Sequence, residues 1–168
     1  MDEIELNINT EGTIEWRYRF VEMFVNREPL IEIVRRAELP SACDEFDERI
    51  AAGDTPDDIG DRGDLAGDYL YLPTSIALPP SQNFFGEPYN HGFIVDDDAP
   101  VNSKSLILQC TCGITECWFL LANITVDEDK IIWDNFEQFH RDWTYDIPPL
   151  TFDRNQYETA FNRVITND

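Results

Sequence analysis

The chain has 168 residues, 42% hydrophobic and 12% aromatic, which suits one domain spanning 1–168 with a core of its own. Its 34 acidic against 12 basic residues give a formal charge of −22. A field of that sign repels phosphate backbones and anionic membranes, which argues against direct nucleic-acid binding and membrane association. No run of about 18 apolar residues is present, and the opening Met1-Asp2-Glu3-Ile4-Glu5-Leu6 has neither the basic nor the apolar region of a secretory signal, so the expected location is cytoplasmic.

Ile4, Leu6 and Ile8 alternate with Glu3, Glu5 and Asn7, the period-2 pattern of a half-buried strand, and Asn9 to Gly12 carry turn chemistry. The return strand places Ile14, Trp16, Tyr18 and Phe20 on one face and Glu15, Arg17 and Arg19 on the other, continuing to Val25. Asn26-Arg27-Glu28-Pro29 interrupts it. Leu30, Ile33 and Val34 then stand at helical spacing, with proline near the first turn where its missing N–H costs little, which predicts a short helix.

Residues 44–68 hold ten acidic side chains against Arg49 and Arg62, with four glycines each followed by aspartate, and read as an acidic exposed loop. A calcium loop needs carboxylates at fixed offsets around an obligatory glycine and ends in Glu, and that spacing is absent. The proline-rich stretch 72–100 reads as an irregular connection.

From Ser103 the pattern is regular again. Leu106, Leu108, Cys110 and Cys112 line one strand, Gly113 to Glu116 form a loop, and Cys117, Phe119 and Leu121 return, so Cys112 is expected opposite Cys117, Cys110 opposite Phe119 and Leu108 opposite Leu121. A turn at Asp127 to Lys130 pairs Val126 with Ile131 and Ile124 with Trp133, completing a three-stranded meander to about Phe136. Asp153 and Gln156 have capping-box spacing, Phe152 and Tyr157 sit at staple positions, and Tyr157, Ala160, Phe161 and Val164 share a helical face. The expected fold is α+β: an antiparallel sheet of hairpins and a three-stranded meander, with a C-terminal helix packed on it.

Chemistry concentrates at Cys110, Cys112 and Cys117, followed by Trp118. Three readings are open: reduced structural thiols, a zinc site, and a redox disulfide between Cys112 and Cys117. Thiolates are soft zinc ligands, but three are not four, and closure needs Cys43, His91, His140 or a water. Otherwise no cofactor is expected. The two histidines, His91 and His140, lie near no nucleophile motif, phosphate-binding glycine loops are missing, and 34 carboxylates make any proposed acid–base pair uninformative. Nothing here argues for an enzyme. Trp118, Trp133, Trp143, Phe136 and Phe139 crowd one region and read as core before interface.

Cys110-x-Cys112-Gly113-x3-Cys117-Trp118, Trp133, Phe136-Glu-Gln-Phe-His140-Arg141 and Phe152-Asp153-Arg154-x-x-Tyr157 together resemble a family of uncharacterised small bacterial proteins, with lesser matches at Val25-Asn26 to Leu30, Glu38-Leu39-Pro40 and Ala66-Gly67-x-Tyr69. The resemblance is specific from about residue 105 to 161. It implies a shared fold and carries no activity, cofactor, partner or functional residue. The functional expectation therefore rests on charge: a non-enzymatic cytosolic module that binds a basic protein partner, as an immunity protein or DNA mimic would, with zinc binding at Cys110, Cys112 and Cys117 and thiol redox regulation as the alternatives.

Overall fold

Ile4–Gly12 (β1) and Arg17–Val25 (β2) form the expected hairpin in a computed structural model that describes residues 1–12, 17–89, 104–111, 118–138 and 140–167. Ile4 pairs with Val25, and the register holds to Gly12 opposite Arg17. Asn9 to Gly12 therefore lie within the strand rather than forming the turn. The buried face is also the other one: Val21, Met23 and Val25 join Ile4 and Leu6 in the core, whereas Tyr18 and Phe20 are half-buried on the opposite face. Phe20 finds cover there by stacking on Tyr71, 6.4 Å between ring centroids. Both faces carry apolar groups, so alternation alone does not choose between them.

Asn26 and Arg27, both at positive φ, make a two-residue turn into Glu28–Pro29 (β3), closing a three-stranded sheet in the order β1-β2-β3. Leu30–Ala51 (α1) is a 22-residue helix that runs through Pro40, not the short helix expected. Pro40 is exposed, and the stripe Leu30, Val34, Glu38, Ala42 is buried at i, i+4 spacing. Packing of that stripe outweighs the roughly 3 kcal/mol that an interior proline costs a helix. The acidic segment 44–68 is correspondingly not all loop: its first eight residues belong to α1, and Pro56–Ile59 (α2) adds one short turn with no buried residue.

Tyr69–Leu70 (β4), Ser105–Cys110 (β5), Phe119–Val126 (β6), Lys130–Gln138 (β7) and Leu150–Asp153 (β8) make a five-stranded antiparallel sheet in chain order, extending the expected meander by one strand on each side. Val126 pairs with Ile131 and Ile124 with Trp133 as expected. The β5–β6 register differs. Leu108 opposes Leu120 and Gln109 opposes Phe119, because an irregularity between Leu106 and Leu108 shifts the ladder. At that point the buried Asn83 takes over a rung: its Nδ2 donates to Leu106 O at 2.7 Å and its Oδ1 accepts Leu106 N–H at 3.2 Å. Within 72–100, Thr74–Ala77 (α3) and a 3-10 turn at Asn83–Phe85 give the first part regular structure.

Arg154–Asn167 (α4) packs as its apolar face dictates. Asp153 Oδ1 accepts Gln156 N–H at 2.9 Å, and Tyr157 and Phe161 are fully buried, with Val164 nearly so. Trp133 is fully buried; its Nε1 donates to Tyr157 Oη, which donates on to Phe84 O. Each such large side chain contributes about 1.5–3 kcal/mol on leaving water. The two sheets meet where Asp2 N–H donates to Thr151 O and Val21 N–H to Leu72 O, so one core serves both. No helix among the described residues is long and apolar enough to cross a membrane.

Candidate functional site

Glu38 has no exposed surface, although it lies mid-helix in a chain whose acids are mostly solvated. Its Oε1 accepts Gly67 N–H at 2.8 Å; its Oε2 accepts Tyr69 O–H at 2.5 Å and a second phenol, Tyr145 O–H. One carboxyl thus ties α1 to the start of β4 and to the segment between β7 and β8. Burial raises the Glu38 carboxyl above its ordinary range, opposed by these hydrogen bonds and by the charge of Arg141. Burial and the neighbouring carboxylate raise both tyrosines too, so they stay protonated donors. Gly67 permits the approach: it sits at φ +65°, and a Cβ there would lie 2.6 Å from Arg35 Cβ.

Beside this node, Arg141 forms a bidentate pair with Glu45 of α1, Nε to Oε1 at 2.8 Å, and its guanidinium lies 4.0 Å above the Trp118 ring and 5.3 Å from that of Trp143. Trp118 is half-buried between Tyr69 and Trp143, each 6.1 Å away between centroids. Trp118 and Trp143 thus neither join the inner core, as Trp133 does, nor stand free. Among the described residues, the buried donors Trp118 Nε1 and Gln138 Nε2 find no hydrogen-bond acceptor.

Of the cysteine cluster, Cys110 is described. Cys110 ends β5, half-buried, in register with Tyr69. Cys112 and Cys117 lie outside the described residues, as does His91. Cys43 is half-buried on α1 near Gly63, where a Cβ would stand 3.6 Å from its Sγ. His140 follows β7, exposed, with its N–H on Gln138 Oε1 at 2.5 Å and its ring edge-on to Phe119 at 5.9 Å. Among the described residues no three His, Cys, Asp or Glu side chains gather as metal ligands would, so Cys43, Cys110 and His140 do not form a trio.

The acidic residues form a second feature. The loop after α1 folds back on the helix: Arg62 pairs bidentately with Asp47, Gly63 approaches Leu39, and Arg49 pairs with Asp54. Asp44, Glu48, Asp57, Asp58, Asp61 and Asp64, all exposed, lie along the second half of α1, on α2 and on the loop that follows. Burial, with a smaller contribution from the charge of Asp64, pushes the Asp68 carboxyl up. Comparison with protein-family models, curated proteins and solved structures gives no match for this chain.

Proposed function

We propose that this chain is a non-enzymatic interaction module whose acidic end docks on a basic protein partner, in the manner of an immunity protein or a DNA mimic. The observation that carries this reading is the surplus of exposed carboxylates on the second half of α1, on α2 and on the loop that folds back over them, where Arg49 and Arg62 are already engaged by Asp54 and Asp47. An unneutralised patch of this kind steers a cationic surface and discriminates against anionic ones. The buried Glu38 node supports it mechanically, because it holds α1 against the sheet and so fixes the helix that carries the exposed carboxylates.

The test uses a defined cationic probe, a fluorescent twelve-residue arginine-rich peptide, titrated at 20 and 300 mM salt against three chains. They are the wild type, a knob variant (Asp44→Asn, Glu48→Gln, Asp57→Asn), and a charge-matched control in the β6–β7 turn (Asp127→Asn, Glu128→Gln, Asp129→Asn). The reading expects weaker binding for the knob variant alone, and a loss of affinity at high salt as the Debye length falls below about 10 Å. Equal weakening in both variants would reduce the effect to overall charge and remove the acidic end as a site.

A further inference from the structure

Edge strand β1 presents hydrogen-bonding groups in a series that is filled at one end and open at the other. Asn26 N–H donates to Glu3 O across the hairpin, so Glu5, Asn7 and Asn9 turn their main-chain groups inward to β2. Ile4, Leu6, Ile8 and Thr10 therefore turn theirs outward, as does Asp2 on the same parity. The first two of these rungs are occupied. Asp2 N–H donates to Thr151 O of β8 at 2.8 Å, and the Gln156 side chain serves Ile4 as a strand would, its Oε1 accepting Ile4 N–H at 3.1 Å and its Nε2 donating to Ile4 O at 2.7 Å. The next rungs, at Leu6 and Ile8, have no described partner.

Alongside them α4 leaves two adjoining clefts of about 460 and 480 Å³ that share Leu6, Asn7 and Arg163. Ala160 contributes apolar surface to the first, and Arg19 lies at the far end of the second. Two of the chain's 12 basic residues thus flank one groove in a protein with 34 acids, and Arg163 has no ion pair among the described residues. Long edge strands invite pairing, and main-chain recognition of an added strand takes its specificity from the alternate side chains.

We infer that the β1–α4 groove binds an extended peptide segment of a partner protein, which adds as a strand at Leu6 and Ile8 and places an acidic side chain against Arg163. The charge complementarity selects this occupant over a second copy of the chain, since two β1 edges brought together would juxtapose Glu5 and Glu11 of both within a −22 molecule. This surface lies apart from the acidic end of α1 and does not depend on it.

The experiment is selection of a displayed library of random twelve-residue peptides on the wild-type chain, followed by titration of the enriched peptides. Enriched sequences should alternate β-branched and polar residues and carry at least one Asp or Glu. Ile8→Pro deletes an outward N–H while sparing the β1–β2 ladder, and Arg163→Ala removes the cation; each should weaken binding at least tenfold, with thermal melts confirming that both variants fold. The knob variant above should bind these peptides as the wild type does. Absence of enrichment, peptides without an acidic residue, or affinities unchanged in Ile8→Pro each overturn the inference. So does a concentration-dependent wild-type dimer that Ile8→Pro dissolves, because the edge would then be taken by a second copy.

Discussion

Replacing Glu38 tests whether one buried carboxyl holds three segments together. Glu38→Ala leaves Gly67 N–H and Tyr69 O–H buried without an acceptor, while the half-buried Tyr145 can turn to water. Each stranded donor costs about 1–3 kcal/mol, for a sum of about 2–6 kcal/mol. Release of the carboxyl's own desolvation returns part of that, leaving a net loss of about 2–4 kcal/mol. For a chain of this length the melting temperature should fall by about 4–16 °C. Urea unfolding followed by tryptophan fluorescence and far-UV dichroism measures it directly.

Glu38→Gln sharpens the test, since it keeps an acceptor for Gly67 N–H but never ionises. Burial holds the Glu38 carboxyl above its ordinary 4.5, so the folded chain binds the proton more tightly than the unfolded chain. The stability from this group is complete below that ordinary value and declines as pH rises through the raised folded one. The deficit of Glu38→Gln relative to wild type should therefore be largest in acid and shrink toward neutral pH. A deficit that grows with pH refutes the dominance of burial over hydrogen bonding at this carboxyl, and a Glu38→Ala loss under about 0.5 kcal/mol refutes its role as a tie.

Gly67→Ala should destabilise by more than about 2 kcal/mol in the same unfolding assay, because φ is +65° and the added methyl meets Arg35 Cβ at 2.6 Å. Arg27→Gly should stabilise by about 0.5–1 kcal/mol, since an exposed arginine at φ +68° in a two-residue hairpin turn carries strain that glycine does not. If Cys110, Cys112 and Cys117 hold zinc, chain purified without chelator or affinity metal should contain about one equivalent by elemental analysis; less than about a tenth removes that reading. If Cys112 and Cys117 form a regulatory disulfide, mild oxidation should reversibly remove two thiols by titration, and an unchanged count excludes it.

Where the apolar period was uninterrupted, the sequence was enough to place the elements. Val126 opposite Ile131, Ile124 opposite Trp133, and the α4 face of Tyr157, Phe161 and Val164 all follow from spacing and turn length. The β5–β6 register did not, because it depends on a partner remote in sequence. Asn83 supplies donor and acceptor to Leu106 from 23 residues away and fixes the irregularity that moves Gln109, rather than Cys110, opposite Phe119. The hairpin faces were ambiguous for another reason: Tyr18 and Phe20 on one side and Val21, Met23 and Val25 on the other are both apolar, and only the docking of Phe20 on Tyr71 decides their roles.

The short helix expected from Leu30, Ile33 and Val34 leaves Glu38 in no periodic frame, and Pro40, a residue type that normally ends a helix, gives no sign that the row continues. Carried past Pro40, the i, i+4 row reads Leu30, Val34, Glu38, Ala42, and an acid in an otherwise apolar row must find donors or remain protonated. Its donors come from Gly67, Tyr69 and Tyr145, 29 to 107 residues away, so the row marks the problem while the fold supplies its solution. The helix survives its proline because Pro40 faces solvent, where the carbonyl it leaves unpaired can bond water, while the opposite face is held by Glu38. Loss of the Glu38 ties should accordingly loosen α1 from Pro40 onward before the rest of the helix, and amide exchange should show protection falling first between Ala42 and Ala51.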